Sequence, residues 1–413
     1  MKKNAAKYKI LNYMLNRGNV FKLELAQELN LSMPTVLSNI NELMATGLIV
    51  EVGESRNTGG RKAHAVGIQK NYRYSLGVDI TANHIGIVLV NLGGEVIAQE
   101  RVREKFEPNT AYLIRLSERV KDFCARQQMK EKLLGIGISL PGIVNEKERI
   151  LVKSHTLKLE NYSLKTMEQL MPFPVHFEND ANAAMLAEHP SAIKNIVYLS
   201  LNNTLGGAVC IHGELFIGDN RKAGEIGHMI LKPGGKQCYC GKQGCADAYC
   251  AASVLTQNGR EPLESFMERI PADKKTREIW DAYLDDLAML ISNIRMFMDT
   301  DIMLGGEVGG YLSNYSLELG EKISKYNLFD RDISYLKNCA YKMEARGLEP
   351  LVLQPKNIGF IRYFLFYDKI HDKICERIYS AACCCICNFL SSKAWRYTDF
   401  STLSDFQPPA AIM

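Results

Sequence analysis

At about Tyr74 the chain changes its repeat. Before that point apolar residues recur at helical spacing. After it, apolar runs of strand length alternate with helical stretches and close on glycine turns. The first pattern builds a small helical unit and the second an alternating α/β body, so a single all-helical or all-β domain is excluded.

Residues 5–16 place Ala6, Ile10, Tyr13 and Met14 on one helical face. Residues 22–29 form a second short helix with Leu23, Leu25, Ala26 and Leu29 inward, and Asn30-Leu31-Ser32 turns the chain. Ser32 is an N-cap, and Pro34 falls in the first turn of a third helix that runs to about Ala45. That helix is expected to bury Val36, Leu37, Ile40, Leu43 and Met44, leaving Thr35, Ser38, Asn39 and Asn41 as its polar positions, before Gly47 ends it. This is a helix-turn-helix, whose last helix enters the major groove with its N-terminal polar residues on base edges. Two short strands then flank Arg56–Lys62, a wing. Gly59-Gly60 lets the backbone lie close to DNA, and Arg61 and Lys62 reach phosphates or a narrow minor groove. The DNA-contact candidates are Ser32, Thr35, Ser38, Asn39, Arg61 and Lys62. A packing or dimerisation module is the alternative. Charge favours DNA: residues 1–70 carry ten Lys/Arg against five Asp/Glu, whereas the whole chain is only +4.

The opening MKKNAAKYKILNYML lacks the apolar core and small-residue cleavage site of a signal peptide. No apolar run of about 18 residues offers a membrane span. Twelve cysteines in such a chain read as thiols or metal ligands, and the expected compartment is the cytosol.

In the body, residues 74–103 read as strand, turn, strand, turn, strand, with Gly93-Gly94 in one turn. A helix follows near 110–128, then the buried strand LLGIGISLPGIV, a strand pair in NIVYLSLNNTLGGAVCIHGELFIG, a largely apolar helix at about 280–298 and the strand DIMLGG. Cys238, Cys240 and Cys245, with His228 ten residues upstream, form a plausible four-ligand zinc set; Gly241 and Gly244 allow the tight loop. Three thiolates and one imidazole suit a closed structural Zn2+ site with no position for water. Free loop thiols are the alternative. Asn179 and Asp180 follow the strand PVHFEN and open the helix ANAAMLAEH, a place where α/β folds hold ligands, although the same pair also serves as a helix cap.

LGVDI at 76–80, SLPGIV at 139–144, ENDANAAMLAE at 178–188, GEIGHM at 224–229, CYCGKQGC at 238–245 and MLGGEVG at 303–309 occur in the order seen in the ROK family of repressors, open reading frames and sugar kinases. With its winged head the chain resembles the transcriptional-repressor branch, such as the xylose and N-acetylglucosamine repressors. The resemblance implies an α/β fold: an N-terminal winged helix-turn-helix (1–70), then a two-lobed actin-like ATPase body with lobes at 71–180 and 181–344, the second carrying the zinc loop. It implies a sugar pocket at Asn179, Asp180, Glu225 and His228, with Pro141-Gly142 closing over the sugar. The family's Cys-x-Glu position is Asp247 here, whose shorter side chain alters which sugar fits. It also implies a homodimer or higher homo-oligomer on operator DNA, with a small sugar as effector.

In kinases of the family the residue matching Asp180 is the general base, so an ATP-dependent sugar kinase is the alternative function. Phosphoryl transfer needs glycine loops that let backbone N–H groups approach phosphate. The family's Asp-x-Gly-Gly-Thr loop is here Asp79-Ile80-Thr81-Ala82-Asn83, and Asn202–Ala208 keeps one of four family glycines, Gly206. Gly305-Gly306 survives but is followed by Glu307. The expectation is a sugar-responsive repressor that does not use ATP/Mg2+.

After about Glu344 the pattern stops. Gly347 and Pro350 interrupt the expected final helix, IGFIRYFLFY is aromatic-rich, and five of the twelve cysteines crowd into the remainder. Residues 345–413 are expected to be an atypical tail outside the family fold, produced by a frameshift or recombined end. Limited proteolysis of the full chain is then expected to leave a stable fragment ending near residue 344; a tail that resists throughout contradicts this.

Overall fold

The computed structural model describes residues 2–56, 63–128, 132–188, 194–326 and 333–338. The wing residues Gly59, Gly60, Arg61 and Lys62 lie outside these, as do residues 345–413.

In the head, helices α1 (Lys2–Arg17), α2 (Lys22–Glu28) and α3 (Met33–Ala45) precede an antiparallel pair, β1 (Ile49–Arg56) and β2 (Ala63–Ile68). The Ser32 hydroxyl accepts from the Thr35 N–H at 3.3 Å and starts α3. Ile10, Met14, Val20, Leu25, Val36, Ile40 and Leu43 form a fully buried core. Buried Lys7 pairs with Glu42 at 2.6 Å and ties α1 to α3.

Three expectations change here. Asn39 is 1% exposed and its amide donates to the Thr35 carbonyl at 2.7 Å. It sits among Val36, Ile40 and Leu43 on the packed face and cannot reach a groove. Leu37 and Leu23, expected inside, are 39% and 54% exposed. The apolar stripe that three short helices can cover is narrower than the set of all their apolar residues.

The body holds two five-stranded sheets. In the first, β3 (Tyr74–Ile80), β4 (His84–Asn91) and β5 (Val96–Arg103) form an antiparallel meander; α4 (Thr110–Gln127) leads to β6 (Leu133–Leu140), parallel to β3. A small three-stranded sheet, β7 (Ile143–Asn145), β8 (Ile150–Ser154) and β9 (Leu159–Ser163), and helix α5 (Lys165–Leu170) follow. Strand β10 (Val175–Asn179) then pairs parallel with β6 and runs into α6 (Asp180–Glu188).

In the second sheet, β11 (Ile196–Leu201), β12 (Leu205–Ile211) and β13 (Glu214–Leu215) form another meander. Short helices α7 (Asp247–Cys250), α8 (Ala252–Leu255) and α9 (Leu263–Arg269) precede the long α10 (Lys274–Phe297). Then β14 (Asp301–Gly305), α11 (Gly306–Leu312), α12 (Ser316–Ser324) and β15 (Leu336–Asn338) complete the described chain, with β14 and β15 parallel to β11. The sheet orders β10-β6-β3-β4-β5 and β13-β12-β11-β14-β15 are one topology traced twice. The body is therefore an internal duplication that the sequence pattern shows only as two similar strand–turn–strand openings.

Each sheet has its own core. Tyr112, Leu116, Val120 and Phe123 of α4 cover Leu76, Val78, Ile85 and Ile87. Trp280, Leu284, Leu287 and Ile291 of α10 cover Val197, Leu199, Ile302 and Leu304. Helix α6 joins the halves: it begins at the end of β10, yet its Ala184 and Met185 pack on Ile196, Tyr198 and Ala208 of the second sheet.

The head is seated on the first sheet. Val88, Val90 and Leu92, on the face of β4 opposite α4, pack against Leu15, Leu48, Ile68 and Tyr72. Asn91 extends the seam by donating to Asn71 at 2.9 Å and to Glu95 at 2.8 Å, and Lys70 pairs with Glu95.

Trp280 is fully buried, stacked on Tyr283 at 5.5 Å and edge-on to Tyr315 at 4.8 Å. Trp280→Ala is expected to cost about 3–5 kcal/mol, read as a lowered denaturant midpoint. Leu317→Ala, at a position 82% exposed, is expected to shift stability by under ~0.5 kcal/mol.

Candidate ligand cleft and metal centre

Strands β3, β6 and β10 are parallel and end together, with Asp79 and Glu178 both in register with Ser139. The carboxyl ends of parallel strands are where open α/β sheets leave a crevice. Ser139 donates to Asp79 Oδ1 at 2.6 Å. Asn179 is held more tightly: its side-chain N–H donates to the Gly142 carbonyl at 3.0 Å and to Asp180 at 3.1 Å, while its oxygen accepts from the Asn182 N–H at 3.0 Å. Glu178 accepts from the Asn179 N–H and the Asn182 amide. Gly142 has φ +120°, and a Cβ there would lie 2.3 Å from the Lys153 carbonyl oxygen, so only glycine lets this loop close on β8.

A cavity of about 250 Å3 opens beside these strand ends. Pro141, Gly142, Asn179, Asp180, Glu225 and His228, six of the seven residues expected to contact a sugar, line it. Asp247 does not: it is 5% exposed, and its carboxylate accepts from the Leu205 N–H at 2.6 Å. Burial pushes its carboxyl up to about 6. Asp247 thus anchors the start of β12 instead of facing the cavity.

His155, Lys222 and Tyr239 line the same cavity and were not legible in the sequence. His155 and Tyr239 come from distant loops and meet His228 edge-on, with ring centroids 5.6 and 5.3 Å away. Burial, then repulsion from Asp180, raises the Glu225 carboxyl. Burial, then His155 and Lys242, lowers His228, which favours the neutral imidazole. The wall thus offers carboxylate acceptors at Asp180 and Glu225 beside donors at Lys222 and His228, a set suited to a polyhydroxylated ligand.

A second cavity of about 600 Å3 meets the first at Pro141, Thr156, Asp180 and Thr204. Its floor includes the β3–β4 turn, the β11–β12 turn and Glu307. In the first turn the Thr81 hydroxyl accepts from the His84 N–H at 3.0 Å and the Asn83 N–H at 3.4 Å. At the start of α11 the Glu307 N–H donates to the Asn202 side chain at 2.9 Å.

His228, Cys238, Cys240 and Cys245 form a cluster whose ligand atoms all lie within 4.8 Å of one another. Cys240 Sγ and Cys245 Sγ are 3.7 Å apart, and Cys238 Sγ is 3.8 Å from His228 Nδ1. Tetrahedral zinc with Zn–S bonds near 2.3 Å requires an S···S edge of ~3.8 Å, so the donor set fits the ion in chemistry and in size. Gly244 has φ +83°, and a Cβ there would lie 2.0 Å from the Lys232 carbonyl oxygen.

A helix-turn-helix head seated on a duplicated two-lobed body, with a polar cleft at the strand ends, defines a DNA-binding unit carried by a ligand-binding one. The model of the ROK family matches residues 75–336, and a winged helix-turn-helix DNA-binding model matches residues 3–50. The chain belongs to the ROK family. It is 28% identical over 388 residues to the "Putative xylose repressor" of Caldicellulosiruptor sp. (strain Rt8B.4), covering 90% of this chain and 94% of that one. That span includes some residues beyond 344. It is 25% identical over 280 residues to the DNA-binding transcriptional dual regulator NagC of Escherichia coli (strain K12), covering 66% of this chain and 68% of that one. Among solved structures, a ROK family transcriptional regulator, homolog of E. coli MLC protein, superposes with a TM-score of 0.69 at 20% identity, covering 92% of this chain and 98% of that one. This last likeness concerns the fold.

The donor set predicts uptake of one zinc ion per chain by metal analysis. Cys240→Ser or exhaustive chelation is expected to lower the thermal midpoint, and readdition of zinc to restore it only in the unsubstituted chain. Metal content that Cys240→Ser leaves unchanged contradicts the assignment.

Proposed function

We propose that the chain is a sugar-responsive transcriptional repressor. One observation carries the reading: the DNA-binding head packs on β4 of the sheet whose other strands end at the polar cleft. A sugar held between Pro141–Gly142 and Asn179–Asp180 on one side, and Glu225, His228 and Tyr239 on the other, draws the two lobes together. Lobe closure of this kind turns on a few residues at element ends, and α6, which starts at the cleft and packs on the second sheet, is placed to carry it. The head moves with the first lobe because Val88, Val90 and Leu92 hold it there. In a homodimer on a palindromic operator, that movement changes the spacing between recognition helices and releases DNA. By linkage, DNA weakens sugar binding by the same factor.

Residues 1–70, 71–180 and 181–344 act in this scheme as head, first lobe and second lobe. Zinc at His228, Cys238, Cys240 and Cys245 would be structural. His228 offers Nδ1 toward Cys238, while Nε2 lies 3.4 Å from the Tyr239 hydroxyl at the cavity wall. The ion would therefore set the position of two cavity residues.

A repressor reading is favoured over a kinase by the two turns in the larger cavity. Nucleotide phosphates are bound by unpaired backbone N–H groups. Here the amides of Asn83, His84 and Glu307 are already bonded by Thr81 and Asn202. Asp180, which would be the general base of a kinase, serves in this reading as a hydroxyl acceptor.

Two measurements on the purified full chain test this. With Mg-ATP and a panel of hexoses, pentoses and N-acetylated sugars, no sugar-dependent ADP release is expected. On an operator duplex, one sugar is expected to weaken binding by a factor in the range of about 5–150, and Asp180→Ala to bind DNA but lose that response. ADP release that vanishes in Asp180→Ala would make the chain a sugar kinase. Operator affinity indifferent to every sugar would leave control to some other partner.

A further inference from the structure

Four of the six sequence-derived DNA candidates lie in described residues, and their packing reassigns which side chains read bases. Asn39 is inside the head. The Ser32 and Thr35 hydroxyls are 2.8 Å apart and close the α3 cap. The exposed face of α3 consists instead of Pro34, Leu37, Ser38 and Asn41, spaced i, i+3, i+4 and i+7. Leu37 is 39% exposed and is not a member of the head core. Asn41 is exposed and, among the described residues, its amide has no bonding partner. Helix α3 contains no Lys or Arg, and its one charged residue, Glu42, is spent on Lys7.

These side chains have a definite base chemistry. Arg and Lys read guanine, Asn reads the N6/N7 edge of adenine with two hydrogen bonds, and an apolar side chain meets the thymine methyl. With Leu37 and Asn41 outward and no cation, the exposed face of α3 has the means to read A·T pairs and lacks the Arg or Lys that reads guanine bidentately, while the Ser38 hydroxyl serves either pair. We propose that α3 reads a run of A·T pairs at the centre of each operator half-site, with Asn41 on adenine and Leu37 on a thymine methyl. This rests on the DNA-binding reading above and specifies its base composition.

The test is selection by the full-length chain on a random-sequence duplex library at one fixed salt concentration, followed by affinities on the selected site. The expected site has contiguous A·T pairs at the centre of each half. Replacing thymine there by deoxyuridine, which removes only the methyl group, should weaken wild type about fourfold and leave Leu37→Ala unaffected. Asn41→Ala should lose about fivefold or more of the preference for adenine at one position. Asn39→Ala should lower thermal stability without changing base preference. Both α3 surface positions are exposed, and circular-dichroism midpoints equal to wild type show that those two variants fold. A selected site with guanine invariant at the centre of each half overturns the proposal and leaves specific DNA binding standing. So do affinities blind to deoxyuridine and to both substitutions. If no sequence is enriched and binding is only salt-driven, the DNA-binding reading falls and this inference with it.

Discussion

The three bonds of the Asn179 side chain hold the cleft together. One side chain fastens the end of β10 to the loop at Gly142 and starts α6 through Asn182. Helix α6 then packs its small apolar face on the second sheet. Loss of Asn179 would free the Gly142 loop, unsettle the first turn of α6 and loosen the element that relates the two lobes. The same residue that lines the ligand cavity is thus a structural fastening, and its hydrogen-bonding capacity is largely spent before any ligand arrives. In the reading proposed above, Glu225, Lys222 and His228 would carry more of the ligand recognition, because the Asp180 carboxylate already accepts from the Asn179 side chain and the Ala181 N–H.

A second constraint is the two-sided burial of β4. Ile85, Ile87 and Leu89 face the α4 core, while Val88, Val90 and Leu92 face the head. A strand apolar on both faces must be covered on both, and here the second cover is the DNA-binding unit. The head is consequently part of the first lobe's packing, and any rotation of that lobe is delivered to α3. The Asn71–Asn91–Glu95–Lys70 network beside the seam gives the contact direction, because these bonds hold only in one alignment.

The departures from sequence expectation have local causes. Asn39 is polar, which points to the groove, yet it lies three residues after Val36 and four before Leu43, on the packed stripe, where its side-chain N–H donates to the Thr35 carbonyl and its Oδ1 has no partner among the described residues. Leu37 is apolar, which points to the core, yet its position turns it outward. Residue type misled where helical phase was the better guide. Asp247 follows Cys245 by two residues, which points to the cavity, yet its short side chain accepts from the Leu205 N–H instead. Nothing in the sequence pointed to His155, which sits after β8 and reaches the cavity only because β7, β8 and β9 fold over the strand ends.

By itself the sequence determined what depends on spacing along the chain. These are the helix-turn-helix, the alternating body, the Cys238, Cys240 and Cys245 thiols within one short loop with His228 upstream, and the Asn179-Asp180 strand–helix corner, each marked by residues a short way apart along the chain. Tertiary structure alone decided the rest: the repetition of one sheet topology, the seating of the head on β4, the meeting of His155 with His228 and Tyr239, and the outward phase of Leu37 and Asn41. Those depend on which surfaces bury each other. That choice is made by shape and area summed over many residues, and no local pattern records it.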